Sequence, residues 1–251
     1  MRLDVLLTPG EVLPADVAGR TVVVVDVLRA TSTIVEALAS GVRTIYPVAS
    51  IEEALRLANT LGREAVLLSG ERKALPIEGF DLGNSPRDFT PEKVGGKTLI
   101  ISTTNGTAVM AAAQSASRIV IGSFLNLSAV VADLARGGSD PVLVCAGREG
   151  KFGLEDAVFA GRVAKAVMEA SPDAEWELND GARAALALVE PYADLEALFR
   201  ATAAGKQIAD AGLEEDLPFC AQVDRHDLVP VLHDRQISAA AATAATAATT
   251  D

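Results

Sequence analysis

Four stretches of the chain each place charged or small hydrogen-bonding residues directly behind an apolar run. "TVVVVD" (21–26) closes on Asp26 and continues into "VLRATST", which carries Arg29, Thr31, Ser32 and Thr33. "EAVLLSG" (64–70) is followed by Glu71 and Arg72. "KTLIIST" (97–103) runs into "TNGT", so that Ser102, Thr103, Thr104, Asn105, Gly106 and Thr107 stand in a row. "PVLVCAG" (141–147) is followed by Arg148, with Glu155 and Asp156 further on. Two chemistries are encoded here. Small hydroxyl residues at a strand-to-helix turn add donors to free backbone N–H groups and a favourable helix dipole, which suits an anion. Gly106 permits close backbone approach, and Arg29, Arg72 and Arg148 at the same strand ends point to phosphate or sulfonate. Asp26, Glu71, Glu155 and Asp156 make the opposite half. Acids beside an anion-binding turn call for a bridging cation, and Mg²⁺ prefers a few carboxylates, waters and substrate phosphate oxygens.

Structural roles compete with each of these. Ser and Thr cap helices without binding anything, and Glu155 and Asp156 at a helix start suit the dipole alone. Asp26 has no such excuse at the end of a buried valine run. Cys145 fails as a phosphatase nucleophile, because Arg148 follows it too closely and position 151 is Lys; core packing is the expectation. His226 and His233 in "VDRHDLVPVLHD" lack a third ligand at metal spacing, and a structural or surface role is expected for His226 rather than proton donation. Asn126 in "GSFLN" is expected to cap the helix that follows.

The elements that must position these residues alternate in type. Strands are expected at 21–26, 64–70, 97–103, 117–123 and 141–147, with another in "VRTIYPVA". Helices are expected at 31–41, 50–62, roughly 105–115, 126–137 and 154–171. Ser50 with Glu53 forms a capping box. Repeated strand–helix alternation with strands apolar on both faces argues for a three-layer α/β/α fold around a largely parallel sheet, with room for mixed strands. Ligands in such sheets bind beyond the carboxyl ends of the strands, where the polar residues concentrate. Residues 178–213 read as helical, a cap or helical subdomain, with two α/β lobes as the alternative to a single domain. "FCAQVD" and "VPVLHD" are candidate late strands. The loop 71–91, rich in Gly and Pro, is long enough to be functional. Residues 1–237 read as one α/β domain, and 238–251 as an Ala/Thr tail expected to be disordered.

Composition narrows the classes. The chain has 251 residues, 49% apolar and 22% charged, and a net charge of −12. That acidity argues against nucleic acid as a partner, as do aromatics at only 4%. No segment approaches the roughly 20 apolar residues of a membrane span, and "MRLDVLLTPGEV" has too short an apolar run for a signal peptide. Two cysteines, Cys145 and Cys220, make no disulfide framework and fit a reducing cytoplasm. A homodimer is the default expectation.

Two resemblances bear on these residues. "VVVVD" and "LIISTTN" echo haloacid-dehalogenase-like phosphatases, which would make Asp26 a nucleophile, but the second Asp of that motif is Leu28 here. The closer resemblance is to the 2-phosphosulfolactate phosphatase family. "VVVDVLRATSTI" (23–34), "GERKALPIEGFDLGNSP" (70–86), "STTNGT" (102–107) and "CAGREGKFGLEDAVFAG" (145–161) match it in order and spacing, over about residues 1–235. The resemblance implies Mg²⁺-dependent hydrolysis of a small anionic phosphate ester to 3-sulfolactate, in a route toward coenzyme M. It implies Asp26, Glu71 and Asp156 as site residues, with Arg29, Asn84, Ser85, Thr104, Asn105 and Arg148 similar in role. Two departures stand out: Lys73 and Ala74 where glycines are expected, and Ala108 where a basic residue is expected. A sensor that binds a phosphorylated metabolite without turnover is the non-enzyme alternative, though three acids beside its anion would then repel it.

Overall fold

The computed structural model describes residues 1–138 and 140–239. In chain order the elements are β1 (Arg2–Leu6), α1 (Pro14–Val17), β2 (Thr21–Val25), α2 (Ala30–Ala39), β3 (Thr44–Pro47), α3 (Ile51–Leu61), β4 (Val66–Arg72), β5 (Leu75–Pro76), α4 (Pro91–Val94), β6 (Thr98–Ser102), α5 (Gly106–Ala112), β7 (Arg118–Gly122), α6 (Leu127–Gly137), β8 (Pro141–Cys145), α7 (Leu154–Ala170), β9 (Glu177–Leu178), α8 (Asp180–Leu188), α9 (Leu195–Ala201), α10 (Ala203–Asp210), α11 (Asp216–Cys220), β10 (Pro230–His233) and β11 (Gln236–Ala239).

Alternation along the strands builds the layers. In β2 every residue is buried, and successive side chains point to opposite faces. Val23 and Val25 pack with Val130 and Leu134 of α6 and with Val158, Phe159 and Val163 of α7. Val22 and Val24 pack on the other face with Ile34, Ala37 and Leu38 of α2 and with Val109 and Met110 of α5. Strand β8 divides likewise, Leu143 and Cys145 to the first face and Val142 and Val144 to the second. A smaller core sets Ala54 and Ala58 of α3 against Val66, Leu68 and Ile100. Helices on both faces of one sheet make the three-layer α/β/α fold.

The sheet runs β5-β4-β6-β3-β11-β10-β7-β2-β8-β1-β9. One block, β4-β6-β3, is parallel within itself. A second block, β7-β2-β8-β1-β9, is parallel too. The antiparallel hairpin β10–β11 joins them, pairing antiparallel to β7 on one side and to β3 on the other. The two blocks therefore run in opposite senses along the sheet, and a flat sheet would put their carboxyl ends at opposite edges. The two ends nevertheless meet: a Cβ on Gly106, in the turn after β6, would lie 2.8 Å from the Ala30 Cβ, in the turn after β2. The guanidinium of Arg29 donates to the Ala74 carbonyl across the same gap, at 2.9 Å.

Several expectations are revised. Strand β1, with Arg2 and Asp4 among its apolar residues, was not anticipated. "VPVLHD" forms β10, but Phe219 and Cys220 of "FCAQVD" belong to α11. The segment 178–213 contains α8, α9 and α10. Ser238 and Ala239, expected in the tail, pair with Val231 and Pro230 in the β10–β11 hairpin; residues 240–251 lie outside the described residues. Asn126 stands at the N-cap position of α6, but its side chain does not cap that helix. It closes the preceding turn by accepting from Ser123 N–H and donates to the Ile121 and Leu228 carbonyls. Among the described residues no helix is long and apolar enough to cross a membrane.

Phe159 locks α7 onto the first face, its ring edge-on to Phe124 at 5.1 Å and 82°, and it is fully buried. Phe159→Ala is expected to lower unfolding free energy by about 3–5 kcal/mol in a denaturant titration; a loss under ~1 kcal/mol would mean this layer is not packed as described.

Candidate active site

Each block contributes one buried carboxylate that ties two turns together. Glu71, at the end of β4, accepts from Thr104 N–H at 2.8 Å and from Ala74 N–H at 2.9 Å. Asp156, in the first turn of α7, accepts from Val27 N–H and Gly147 N–H, both at 2.9 Å. Asp156 does not cap its own helix. Both acids satisfy backbone donors of turns that carry the site, and so fix those turns to one another. Asp26 closes β2 between them. Its Oδ1 accepts from Ala30 N–H at 3.3 Å. Its Oδ2 faces Gly106, where a Cβ would come within 3.1 Å, so glycine is required for this close approach. Gly147 is constrained similarly: its φ is +57°, and a Cβ there would sit 2.0 Å from the Lys151 carbonyl oxygen.

These turns enclose a polar cavity of about 60 Å³, far below the several hundred Å³ of a drug-sized site and suited to a compact group. Asp26, Arg29, Glu71, Asn84, Thr103, Thr104, Asn105 and Arg148 all line it. Thr103 and Asn84 are each 4% exposed, and the Thr103 hydroxyl and the Asn84 side-chain oxygen have no hydrogen-bond partner. Buried polar atoms left unpaired are costly, and two in one cavity mark where a polar ligand belongs.

The acids repel one another there. Burial pushes Asp26 up to about 7, with Glu71 and Glu155 adding to it and Ala30 N–H and Arg29 opposing it. Burial also pushes Asp156 well above the usual carboxylate range, reinforced by Glu155 and Asp26. Glu155 is raised by burial and relieved in part by Arg148 and Thr202. Among the described residues no three His, Cys, Asp or Glu side chains are grouped so that they could hold a metal ion.

Other expected site residues have different work. The Thr31 hydroxyl donates to the Asp26 carbonyl at 2.8 Å and the Ser32 hydroxyl to the Val27 carbonyl at 2.9 Å, so these two hydroxyls close their own turn. Thr33 donates to the Asn84 carbonyl. Arg72 donates to the carbonyls of Glu71 and Ser102 and to the Ser102 hydroxyl, clamping β4 to β6. Thr107 donates to the Thr103 carbonyl. Ser85 donates to Asp216 at 2.6 Å. Gly106 acts through its missing side chain. Asp156 stands behind the cavity wall, and Glu155 lines a neighbouring cavity with Arg148, Phe152 and Thr202. His226 pairs with Glu36 at 2.6 Å, away from the cavity.

Three contributors were missed. Asp216 is fully buried and holds Arg29 at 2.7 Å; nothing in "LEEDLPFC" separates it from Glu214 and Glu215. Gln207 of α10 accepts from the Arg148 Nε at 3.0 Å and sets the plane of that guanidinium. Lys73 also lines the cavity. It stands out in sequence only as a departure from an expected glycine.

Comparison with known proteins shows the family. The model of the family described as 2-phosphosulpholactate phosphatase matches residues 6–235. A protein of Thermotoga petrophila named as a probable 2-phosphosulfolactate phosphatase is 43% identical over 231 residues, covering 92% of this chain and 95% of that one. Proteins with the same name from Caldanaerobacter subterraneus and Clostridium acetobutylicum are 39% and 37% identical, each over 92% of this chain and over 95% and 97% of their own lengths.

Asp216→Asn is expected to cost about 3–5 kcal/mol in unfolding free energy, because it leaves the buried Arg29 charge uncompensated; an unchanged stability would show that the pair is dispensable. Cys145 and Cys220 are fully buried, and burial raises both thiols, Cys220 to about 12. Neither should react with a thiol-specific disulfide reagent at mildly alkaline pH until denaturant is added; fast reaction of the native protein would contradict this.

Proposed function

Given that this chain belongs to the 2-phosphosulfolactate phosphatase family, we propose that its cavity hydrolyses 2-phosphosulfolactate to 3-sulfolactate and orthophosphate with Mg²⁺ as cofactor. The observation that carries this reading is one cavity holding the two buried carboxylates of Asp26 and Glu71, the Arg148 guanidinium and two buried polar atoms without partners. A phosphate sensor has no use for Asp26 and Glu71 beside its anion. The donor set fits the cofactor: Mg²⁺ takes one or two carboxylates and completes its shell with water and phosphate oxygens. Asp26 and Glu71 would hold it, and the unpartnered Asn84 oxygen is a further hard acceptor. When bound, the ion neutralises phosphoryl charge beside these acids.

The chain's own residues supply the rest. The remaining donors of Arg148 and the Thr103 hydroxyl face the cavity and bind phosphoryl oxygens as charge develops on them. Arg29 adds positive charge from a fixed position. Asp26, lining the cavity with one oxygen facing Gly106, orients the attacking water, which gives up its proton to the surrounding solvent. The new phosphorus–oxygen bond forms as the ester bond breaks, and the departing sulfolactate oxygen leaves with the electron pair and takes up a proton. Water, rather than Asp26, is the nucleophile in this proposal. The setting fits a cytoplasmic enzyme whose product lies on a route of the coenzyme M type.

Phosphate release from 2-phosphosulfolactate is expected to need Mg²⁺ and to fall at least about 100-fold in Asp26→Asn, with the far-ultraviolet circular dichroism unchanged. Full activity in chelator would refute the cofactor, and full activity in the variant would refute the role of Asp26. In ¹⁸O water a single turnover should label phosphate and leave the Asp26 carboxylate unlabelled.

A further inference from the structure

The substrate of this proposal carries more negative charge than its phosphoryl group alone, yet the cavity lining holds few cations. Arg29 is committed to Asp216 and to the Ala74 carbonyl. Arg148 is held by Gln207, with Glu149 at 3.8 Å. The turn after β6 brings no cation, since α5 reads "GTAVMAA". Among the described residues, Lys73 is the one cation lining the cavity that has no partner within the protein.

Its position suits a group beyond the phosphoryl. Asp26, Asn84 and Thr103 are buried, whereas Lys73 is exposed, so it stands at the mouth. It is the first residue of the two-residue turn joining β4 to β5, with φ +54°, and Ala74 follows at +67°. Glycine is the comfortable residue at such positions. The turn is nevertheless firmly held, because Ala74 N–H donates to Glu71 and the Ala74 carbonyl accepts from Arg29. A flexible ammonium thus projects from a fixed base, within the same enclosure as Glu71. A small ester with its phosphoryl at the buried end must extend its other groups toward this mouth.

Resting on the proposed reaction, we infer that the Lys73 ammonium binds the non-reacting sulfonate of the substrate and sets the preference for sulfonated over unsulfonated esters. The test compares wild type, Lys73→Met, Lys73→Arg and Lys73→Gly on 2-phosphosulfolactate and on 2-phospholactate, which lacks only the sulfonate. Binding of 3-sulfolactate and of lactate is measured alongside by calorimetry. One hydrogen bond to a charged group corresponds to about a ten- to hundredfold effect. Lys73→Met should lower kcat/KM for 2-phosphosulfolactate by that factor, chiefly through KM, and leave 2-phospholactate unchanged. Lys73→Arg should restore most of it. Lys73→Gly should lose the preference as fully as Lys73→Met while melting no lower than wild type. Equal losses on both substrates, or no loss on either, would overturn the assignment. If wild type hydrolyses neither ester, the reaction proposed above fails, and product binding still decides Lys73. Tighter binding of 3-sulfolactate than of lactate, abolished in Lys73→Met, supports it; equal affinity for 3-sulfolactate in both proteins refutes it.

Discussion

Backbone N–H groups at the ends of strands must be satisfied when they are buried, and here two carboxylates satisfy them. Glu71 holds the turns after β4 and β6, through Ala74 and Thr104. Asp156 holds the turns after β2 and β8, through Val27 and Gly147. Buried carboxylates are costly unless hydrogen-bonded, so each acid is stable only where these turns surround it, and each turn is ordered by its acid. The cavity is what remains between the two assemblies. Arg29, held by Asp216 and by the Ala74 carbonyl, links one assembly to the other.

That arrangement leaves acid near acid, and the consequence is visible in Asp26 and Asp156, both raised by burial and by their neighbours. Such mutual repulsion favours a proton or a cation in the cavity, which is the property a phosphatase acting on an anionic ester needs. The same arrangement explains why Gly106 stands where it does: a side chain there would collide with Ala30 and crowd Asp26.

Much of this was legible in the sequence. Strands β2, β4, β6, β7 and β8 read clearly because both faces are apolar, whereas the two-residue β5 inside the expected 71–91 loop was not read. The opposed direction of the two blocks was not legible. It depends on the β10–β11 hairpin, whose residues 234 and 235 turn with positive φ in Asp and Arg rather than Gly. The hydroxyls of Thr31 and Ser32 looked like anion ligands because sequence shows donors but not the nearby carbonyls that engage them. Asp216 and Gln207 were invisible for a different reason. They lie far along the chain on helices with ordinary patterns, and only the fold brings them to Arg29 and Arg148.

A crystal structure of the protein grown with Mg²⁺ and orthophosphate tests the central claim directly. Phosphate should lie in the cavity against Thr103 and Arg148, with the ion held by the carboxylates of Asp26 and Glu71. Phosphate bound elsewhere, or an ion that ignores both carboxylates, would contradict the account.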